Sequence, residues 1–202
     1  MIEIVLTGKR EVGKTLFMLQ FAEYIAEENG FDCLYQSEQG VHLKKVSDRI
    51  KAWDIYHKGV QKQYLPQSIC LFDKAQKKHF KFTDTYGLTD GISYHKEERR
   101  KIKHTLETVI QSRHLIHMID YKQIEKRGLD PIDQELYQLG KNKHFYLMVL
   151  NKSDMDASMA KFTDFQKRLK IPMLPVSSMY KEGFFHIYQQ IRTIVREPAL
   201  SR

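Results

Sequence analysis

Cysteine is scarce in this chain, and the two that occur, Cys33 and Cys70, make neither a metal-ligand nor a redox spacing. Both lie in apolar surroundings, so no disulfide framework is indicated and buried thiols in a reducing compartment are expected. No apolar run approaches membrane-spanning length, and the start of the chain has neither a basic segment nor the long apolar stretch of a secretory leader. A cytoplasmic location with no transmembrane segment is therefore expected. Internal repeats, low-complexity tracts and Gly/Ser linkers are also missing, so no domain boundary is visible. The histidines His95, His104, His114 and His117 have no spacing that defines a zinc site. One further absence bears on chemistry: no threonine stands between Thr15 and Thr83.

What is present fits one domain. The 202 residues, 42% of them hydrophobic, suffice for a substantial core and leave no room for a second large domain. The formal net charge of +8 suits contact with RNA, an anionic membrane or an acidic protein surface, and equally suits plain solvated lysines.

The strongest local pattern is Gly8-Lys9-Arg10-Glu11-Val12-Gly13-Lys14-Thr15, between an apolar run, Ile2 to Leu6, and a helical pattern starting near Leu16. A strand feeding such a turn and then a helix presents successive backbone N–H groups and a positive helix end to a polyphosphate. Gly8, Glu11, Val12 and Gly13 would shape that cradle. Lys14 would reach the β- and γ-phosphates, and the Thr15 hydroxyl would ligate Mg²⁺.

Apolar runs and helical periodicities alternate along the rest of the chain. Ser68 to Asp73 and His79 to Thr83 are β-prone runs joined by a link too short for a crossover helix, which predicts an antiparallel hairpin. Buried strands are expected at Leu115 to Ile119, Phe145 to Leu150 and Met173 to Val176. Helices are expected at His95 to Ser112, from Pro131 to about Leu139, at Ala157 to Lys170 and at Phe184 to Arg196. Between the first helix and the hairpin, residues 31–67 form a long connection in which Val46, Ile50 and Trp53 recur at helical spacing, so a helical or mobile insertion is expected there. The whole reads as an α/β fold: one domain over 1–202, with a doubly wound, mostly parallel sheet and one antiparallel hairpin.

In such a sheet ligands lie beyond the carboxyl ends of the strands, and four features fall there: the phosphate loop, Asp84 to Gly87, Asn151 to Asp154, and Ser177-Ser178. Asp84 is placed to hold Mg²⁺, and the Gly87 N–H can approach a γ-phosphate because no Cβ blocks it. The Asp154 carboxylate can accept from guanine N1–H and its exocyclic amine, a face adenine does not present. Lys152 can lay its stem on the base, Asn151 can tie the base loop to the phosphate loop, and Ser178 would offer its N–H to the guanine O6.

GKREVGKT, DTYG, NKSD and VSSMYKEG, with the hairpin before DTYG, resemble the translation-factor-related class of P-loop GTPases, in particular Era-like and small Ras-like domains. The resemblance covers nearly the whole chain. It implies GTP and GDP binding with Mg²⁺, a nucleotide-dependent switch read by a protein effector, and hydrolysis to GDP and phosphate.

Three departures concern catalysis and partners. The family's first mobile loop carries a threonine that senses Mg²⁺ and the γ-phosphate; here Ser68 is the substitute, or simply the start of a strand. Leu88 stands where Ras-like proteins place the glutamine that orients water, so hydrolysis needs another residue or a partner; Arg10 is the candidate cis arginine. No RNA-binding domain follows Arg196, so a protein, RNA or ribosome partner is expected on the domain surface, with the lysine-rich segment 41–63 as candidate. The leading expectation is a slow GTPase. The alternatives are a guanine-nucleotide-binding regulatory or scaffold module without useful hydrolysis, and an ATP-dependent P-loop kinase or ATPase.

Overall fold

The computed structural model describes residues 1–29, 32–37, 40–43, 68–73, 78–91, 93–155, 166–167 and 171–196. Side-chain alternation along the first strand decides the architecture. In β1 (Ile2–Gly8), Ile4 and Leu6 point to one side of the sheet and Val5 to the other, and all three are buried. A strand buried on both faces must be covered on both, which only crossover helices can do.

Ile4 and Leu6 meet α1 (Lys14–Asn29) through Phe17, Phe21 and Ile25, and meet α5 (Phe184–Arg196) through Phe184, Ile187 and Ile191. Phe184 meets Phe17 and Phe21 edge-on, with ring centroids 5.5 and 5.3 Å apart. On the other face, Val5 and Leu115 pack with Val109 of α2 (Lys96–Gln111) and Leu136 of α4 (Pro131–Gly140).

The strands form one eight-stranded sheet. Besides β1 these are β2 (Asp32–Ser37), β3 (Gly40–Leu43), β4 (Ser68–Asp73), β5 (Lys78–Asp84), β6 (His114–Asp120), β7 (Phe145–Asn151) and β8 (Met173–Pro175). Their order is β3-β2-β4-β5-β1-β6-β7-β8. Strands β5, β1, β6, β7 and β8 run parallel. The expected hairpin is β4–β5, antiparallel, with Ser68 opposite Thr83 and Asp73 opposite Lys78.

The antiparallel part extends further than the sequence suggests. Strands β2 and β3 fall inside 31–67, which the sequence reads as a connection with a helix. Both are short and mixed in polarity, and β3 lies at the sheet edge, so neither carries the continuous apolar run that marks a central strand. The helix expected around Val46 to Trp53 lies outside the described residues. So does the helix expected from Ala157 to Lys170, apart from residues 166–167, which are helical.

A second addition is α3 (Tyr121–Arg127), where the sequence suggests only a polar segment. Tyr121 and Ile124, one turn apart, are buried against Ile119 and Leu150, so two apolar residues anchor this short helix. Both α3 and α4 start on side-chain caps: the Asp120 carboxylate accepts from the Lys122 N–H, and Asp130 accepts from the Asp133 N–H. Cys70, expected to be a buried thiol, is half-buried on β4, because it alternates with the inward-facing Ile69 and Leu71.

Candidate nucleotide-binding site

Gly8, Asp84, Asp120 and Asn151 are the last residues of four strands, and they bring their loops to one end of the sheet. The phosphate loop is built for close approach. Gly8 has φ +142°, and a Cβ there would sit 2.2 Å from the Met118 carbonyl oxygen; Gly13 has φ +92°, and its Cβ would sit 2.4 Å from Asn151 Nδ2. Only glycine meets both demands. Glu11 also adopts a positive φ of 64°, strained for a residue with a side chain.

Lys14 opens α1 with its side chain folded back along the loop, where Nζ donates to the Gly8 carbonyl at 3.2 Å and the Lys9 carbonyl at 2.7 Å. Only 6% of the residue is exposed. Burial pulls the ammonium down to about 8, with the Asp84 carboxylate opposing. A desolvated cation among carbonyls is an anion-binding group held ready.

Thr15 Oγ1 donates to Asp84 Oδ2 at 2.5 Å. The other carboxylate oxygen, Asp84 Oδ1, is sealed from solvent and has no hydrogen-bond partner. Burial raises the Asp84 pKa, opposed by the Thr15 hydroxyl, the Lys14 charge and the Thr85 N–H. A buried acceptor left unpaired is costly. Two hard oxygen ligands, one with an unused lone pair, match what Mg²⁺ requires, so the residues fit the ion.

The segment after Asp84 is zipped onto the phosphate loop. Leu88 N–H donates to the Gly8 carbonyl, and Arg10 N–H donates to the Leu88 carbonyl, both at 3.1 Å. Gly87 lies so close that a Cβ would stand 2.7 Å from Arg10 Cα. The Leu88 side chain is buried with Val5, Val109, Leu115 and Leu136, so it anchors this segment and presents nothing to water.

Arg10, the candidate cis arginine, is half-exposed here and turned toward α2. Its guanidinium lies 4.8 Å from the centroid of the Tyr86 ring and ion-pairs with Glu98 of α2. Lys9 is also engaged, ion-pairing with Asp90 at 2.8 Å and with Asp130 at 2.5 Å.

The base side is joined to the phosphate side by Asn151. Its Nδ2 donates to the Val12 carbonyl at 2.8 Å, while Oδ1 accepts from the Ser178 N–H at 3.0 Å and the Ser178 hydroxyl at 2.8 Å. Asn151, Ser177 and Ser178 are all buried. Ser177 N–H donates to the Glu182 carbonyl at 3.2 Å, and its hydroxyl accepts from the Tyr180 N–H. Lys152, with φ 64°, donates to Asp120 Oδ2 at 2.6 Å. Asp154 is exposed on a single 3-10 turn, Ser153–Met155.

Two expectations change. The Ser178 N–H, expected to serve the guanine O6, is committed to Asn151: with Nδ2 spent on Val12, the carboxamide oxygen takes both Ser178 donors. Ser68 is not placed as a metal ligand. Register sets it opposite Thr83 on the ladder, and Thr83 precedes Asp84, so pleating puts the Ser68 and Asp84 side chains on opposite faces. Conversely, sequence reasoning missed Asp120, Asp130 and Glu98. Asp120 carried a usable signal, since it ends an apolar strand as Asp84 does.

A family model described as 50S ribosome-binding GTPase matches residues 3–152. A search of curated proteins finds no match. Among solved structures, the FeoB G-domain from Methanococcus jannaschii aligns at 17% identity and TM-score 0.53, covering 97% of this chain and 98% of that one. A probable GTP-binding protein, EngB, aligns at 18% and 0.54, covering 98% and 100%. An Aquifex aeolicus Era variant bound to GDP and AlF4⁻ aligns at 14% and 0.59, covering 99% of this chain and 59% of Era. At such identities the likeness establishes the fold, a P-loop GTPase domain. The family match spans more than half of the chain and includes the phosphate loop, Asp84 to Gly87 and the start of the base loop, so the chain belongs to the 50S ribosome-binding GTPase family, whose members bind and hydrolyse GTP.

Proposed function

We propose that this chain is a Mg²⁺-dependent guanine-nucleotide switch that hydrolyses GTP slowly and reports its nucleotide state, through the segment after Asp84 and helix α2, to a protein or ribonucleoprotein partner. The observation that carries this reading is the pairing of Leu88 with the phosphate loop, through Leu88 N–H to Gly8 and Arg10 N–H to Leu88. A γ-phosphate drawing the Gly87 N–H toward itself pulls directly on that pairing, and Leu88 is rooted in the core under α2. Presence or absence of one phosphoryl group thereby becomes a movement at the surface.

In this reading Lys14 and the backbone of Gly8 to Thr15 hold the phosphates, with Glu11 and Val12 shaping the loop. Thr15 and Asp84 would hold Mg²⁺, which would supply positive charge to offset that of the phosphates. Asn151, Lys152 and Asp154 select guanine, supported from behind by Ser177 and Ser178. Because Leu88 is buried, water positioning falls to another group or to the partner, which is why turnover is slow. The net charge of +8 supports an RNA or ribosome contact, and a cytoplasmic protein is the corresponding expectation. Among the described residues no helix is long and apolar enough to cross a membrane.

Multiple-turnover phosphate release from GTP, with Mg²⁺ and with chelator, tests the reading. Slow release that needs Mg²⁺ and vanishes in Lys14→Ala supports it. GTP binding without release above the Lys14→Ala background, even with cell extract added, overturns it in favour of a regulatory module.

A further inference from the structure

Among the described side chains of the phosphate loop, Arg10 is half-exposed and yet engaged. Arg10 reaches out of the loop to α2, where its guanidinium ion-pairs with Glu98 and lies over Tyr86. Glu98 is a hub. It accepts from the Ser93 hydroxyl at 2.6 Å and the Tyr86 hydroxyl at 3.4 Å as well as from Arg10. The Ser93 hydroxyl first and then Arg10 hold its carboxyl below the ordinary value. On the other side of the clamp, the Thr105 hydroxyl donates to the Tyr86 carbonyl at 3.1 Å, and Lys101 lies 5.7 Å from the Tyr86 ring. Tyr86, Ser93 and the first turns of α2 are thus fastened to one cation of the phosphate loop.

We infer that Arg10 is a γ-phosphate sensor that exchanges Glu98 for the γ-phosphate, so that α2 is clamped in the GDP and free states and released in the GTP state. The inference rests on the guanine-nucleotide reading of the site. Gly87, whose N–H faces the γ-phosphate in that reading, packs on the Arg10 backbone, so the phosphate lies within one arginine side chain of Arg10 Cα. A guanidinium pairs in fork geometry with either a carboxylate or a phosphate, and the more highly charged phosphate is the stronger partner. Glu98 keeps its Ser93 and Tyr86 donors when Arg10 leaves, so the exchange does not strand a bare carboxylate. The device also supplies what the chain lacks, since no threonine lies between Thr15 and Thr83 and Leu88 is buried in the core.

The test compares affinity for GDP and for a non-hydrolysable GTP analogue in the full chain, its Arg10→Ala, Arg10→Lys and Glu98→Gln variants. Arg10→Ala should lower the analogue-to-GDP affinity ratio about tenfold, the size of one charge-assisted contact, with GDP affinity nearly unchanged. Arg10→Lys should recover part of the ratio. Glu98→Gln should raise it, because the competing carboxylate charge is gone. A merely structural clamp would move both Arg10→Ala and Glu98→Gln the same way. Hydrogen exchange over residues 86–100 gives a second readout: it should increase with analogue relative to GDP in the wild-type chain and lose that difference in Arg10→Ala. An unchanged ratio in Arg10→Ala, or a fall in Glu98→Gln, overturns the inference while leaving guanine-nucleotide binding intact. Absence of any GDP binding by the wild-type chain overturns the functional reading itself.

Discussion

Asn151 and Asp84 each end a strand at the same end of the sheet, and each meets the phosphate loop, yet they stand in opposite states. The Asn151 carboxamide is engaged at both ends, with Val12 on its nitrogen and both Ser178 donors on its oxygen. Asp84 has one oxygen on Thr15 and another buried with no partner, beside a lysine whose ammonium burial has pulled down to about 8. The base side is finished without a ligand, whereas the phosphate side carries charges and lone pairs that only an anion and a cation together would satisfy. In the proposed reading, the frame behind base recognition is preformed, and the response to nucleotide is stored in the unfinished half.

The sharpest way to break this contrast is Lys14→Ala. If the phosphate side is built for a missing anion, removing its buried cation should cost about 3–5 kcal/mol in affinity for GTP and GDP alike. Thermal stability of the nucleotide-free chain should stay within about 1 kcal/mol, because Lys14 hydrogen-bonds to backbone carbonyls and the Asp84 charge it offsets can be taken up by a proton, its pKa being already raised. Calorimetric titration and thermal melts check the two halves of this expectation. A large loss of stability would mean that Lys14 is structural, and the contrast would fail.

Asn151→Ala probes the finished half and should give the reverse signature. It strands the Val12 carbonyl and both Ser178 donors in a buried site, so the nucleotide-free chain itself should lose about 2–4 kcal/mol in denaturant unfolding. Affinity would fall as a consequence, because the two loops are no longer tied. Wild-type stability in Asn151→Ala would show that the base side forms only on binding.

How much of this the sequence carried follows the same division. The parallel strands, the hairpin and helix α5 were legible because they are apolar runs or long amphipathic periods, and the motif residues sat at their ends. Strands β2 and β3 were not, since their sequences are short and mixed in polarity and carry no continuous apolar run. Asn151 was expected to join the two loops and does. The Ser178 N–H goes to Asn151 rather than standing free for a base, because the fate of one N–H depends on where a carboxamide turns, which no spacing encodes. Ser68 failed on register, where a shift of one residue moves a side chain to the other face. Arg10 is a half-exposed residue whose partners, Tyr86 and Glu98, are not legible from sequence because they lie far along the chain.

Asp154→Asn tests selectivity without touching the frame. Asp154 is exposed, so unfolding should be unaffected. The preference for GTP over ATP should shrink by about 2 kcal/mol, the scale of lost charge-assisted bonds to the base edge. Competition between the two nucleotides measures it directly. An undiminished preference would place guanine recognition elsewhere on the base side.

The smallest effect concerns the tie between the phosphate loop and α4. Asp130 caps α4 and takes Lys9 as an ion-pair partner. Burial works to raise its carboxyl, but the Lys9 ammonium and the Asp133 N–H outweigh it, and the net pKa is lowered. Burial likewise works against the Lys9 charge, but Asp130 and Asp90 prevail and its pKa is raised. A lowered carboxylate stabilises the fold above its unfolded pKa, and loses that contribution as pH falls through its folded value. A raised lysine stabilises below its unfolded pKa, and loses that contribution only as pH rises through its folded value. Neutral pH lies between the two limits, where the pair contributes fully. Asp130→Asn keeps a good helix cap and removes only the charge, so it should cost about 1 kcal/mol at neutral pH. The gap to the wild-type chain should close on acidification, as Asp130 becomes protonated and both chains carry a neutral cap. A gap that persists in acid would assign the loss to the cap, and the phosphate loop would then be held to α4 by something other than the Lys9 ion pair.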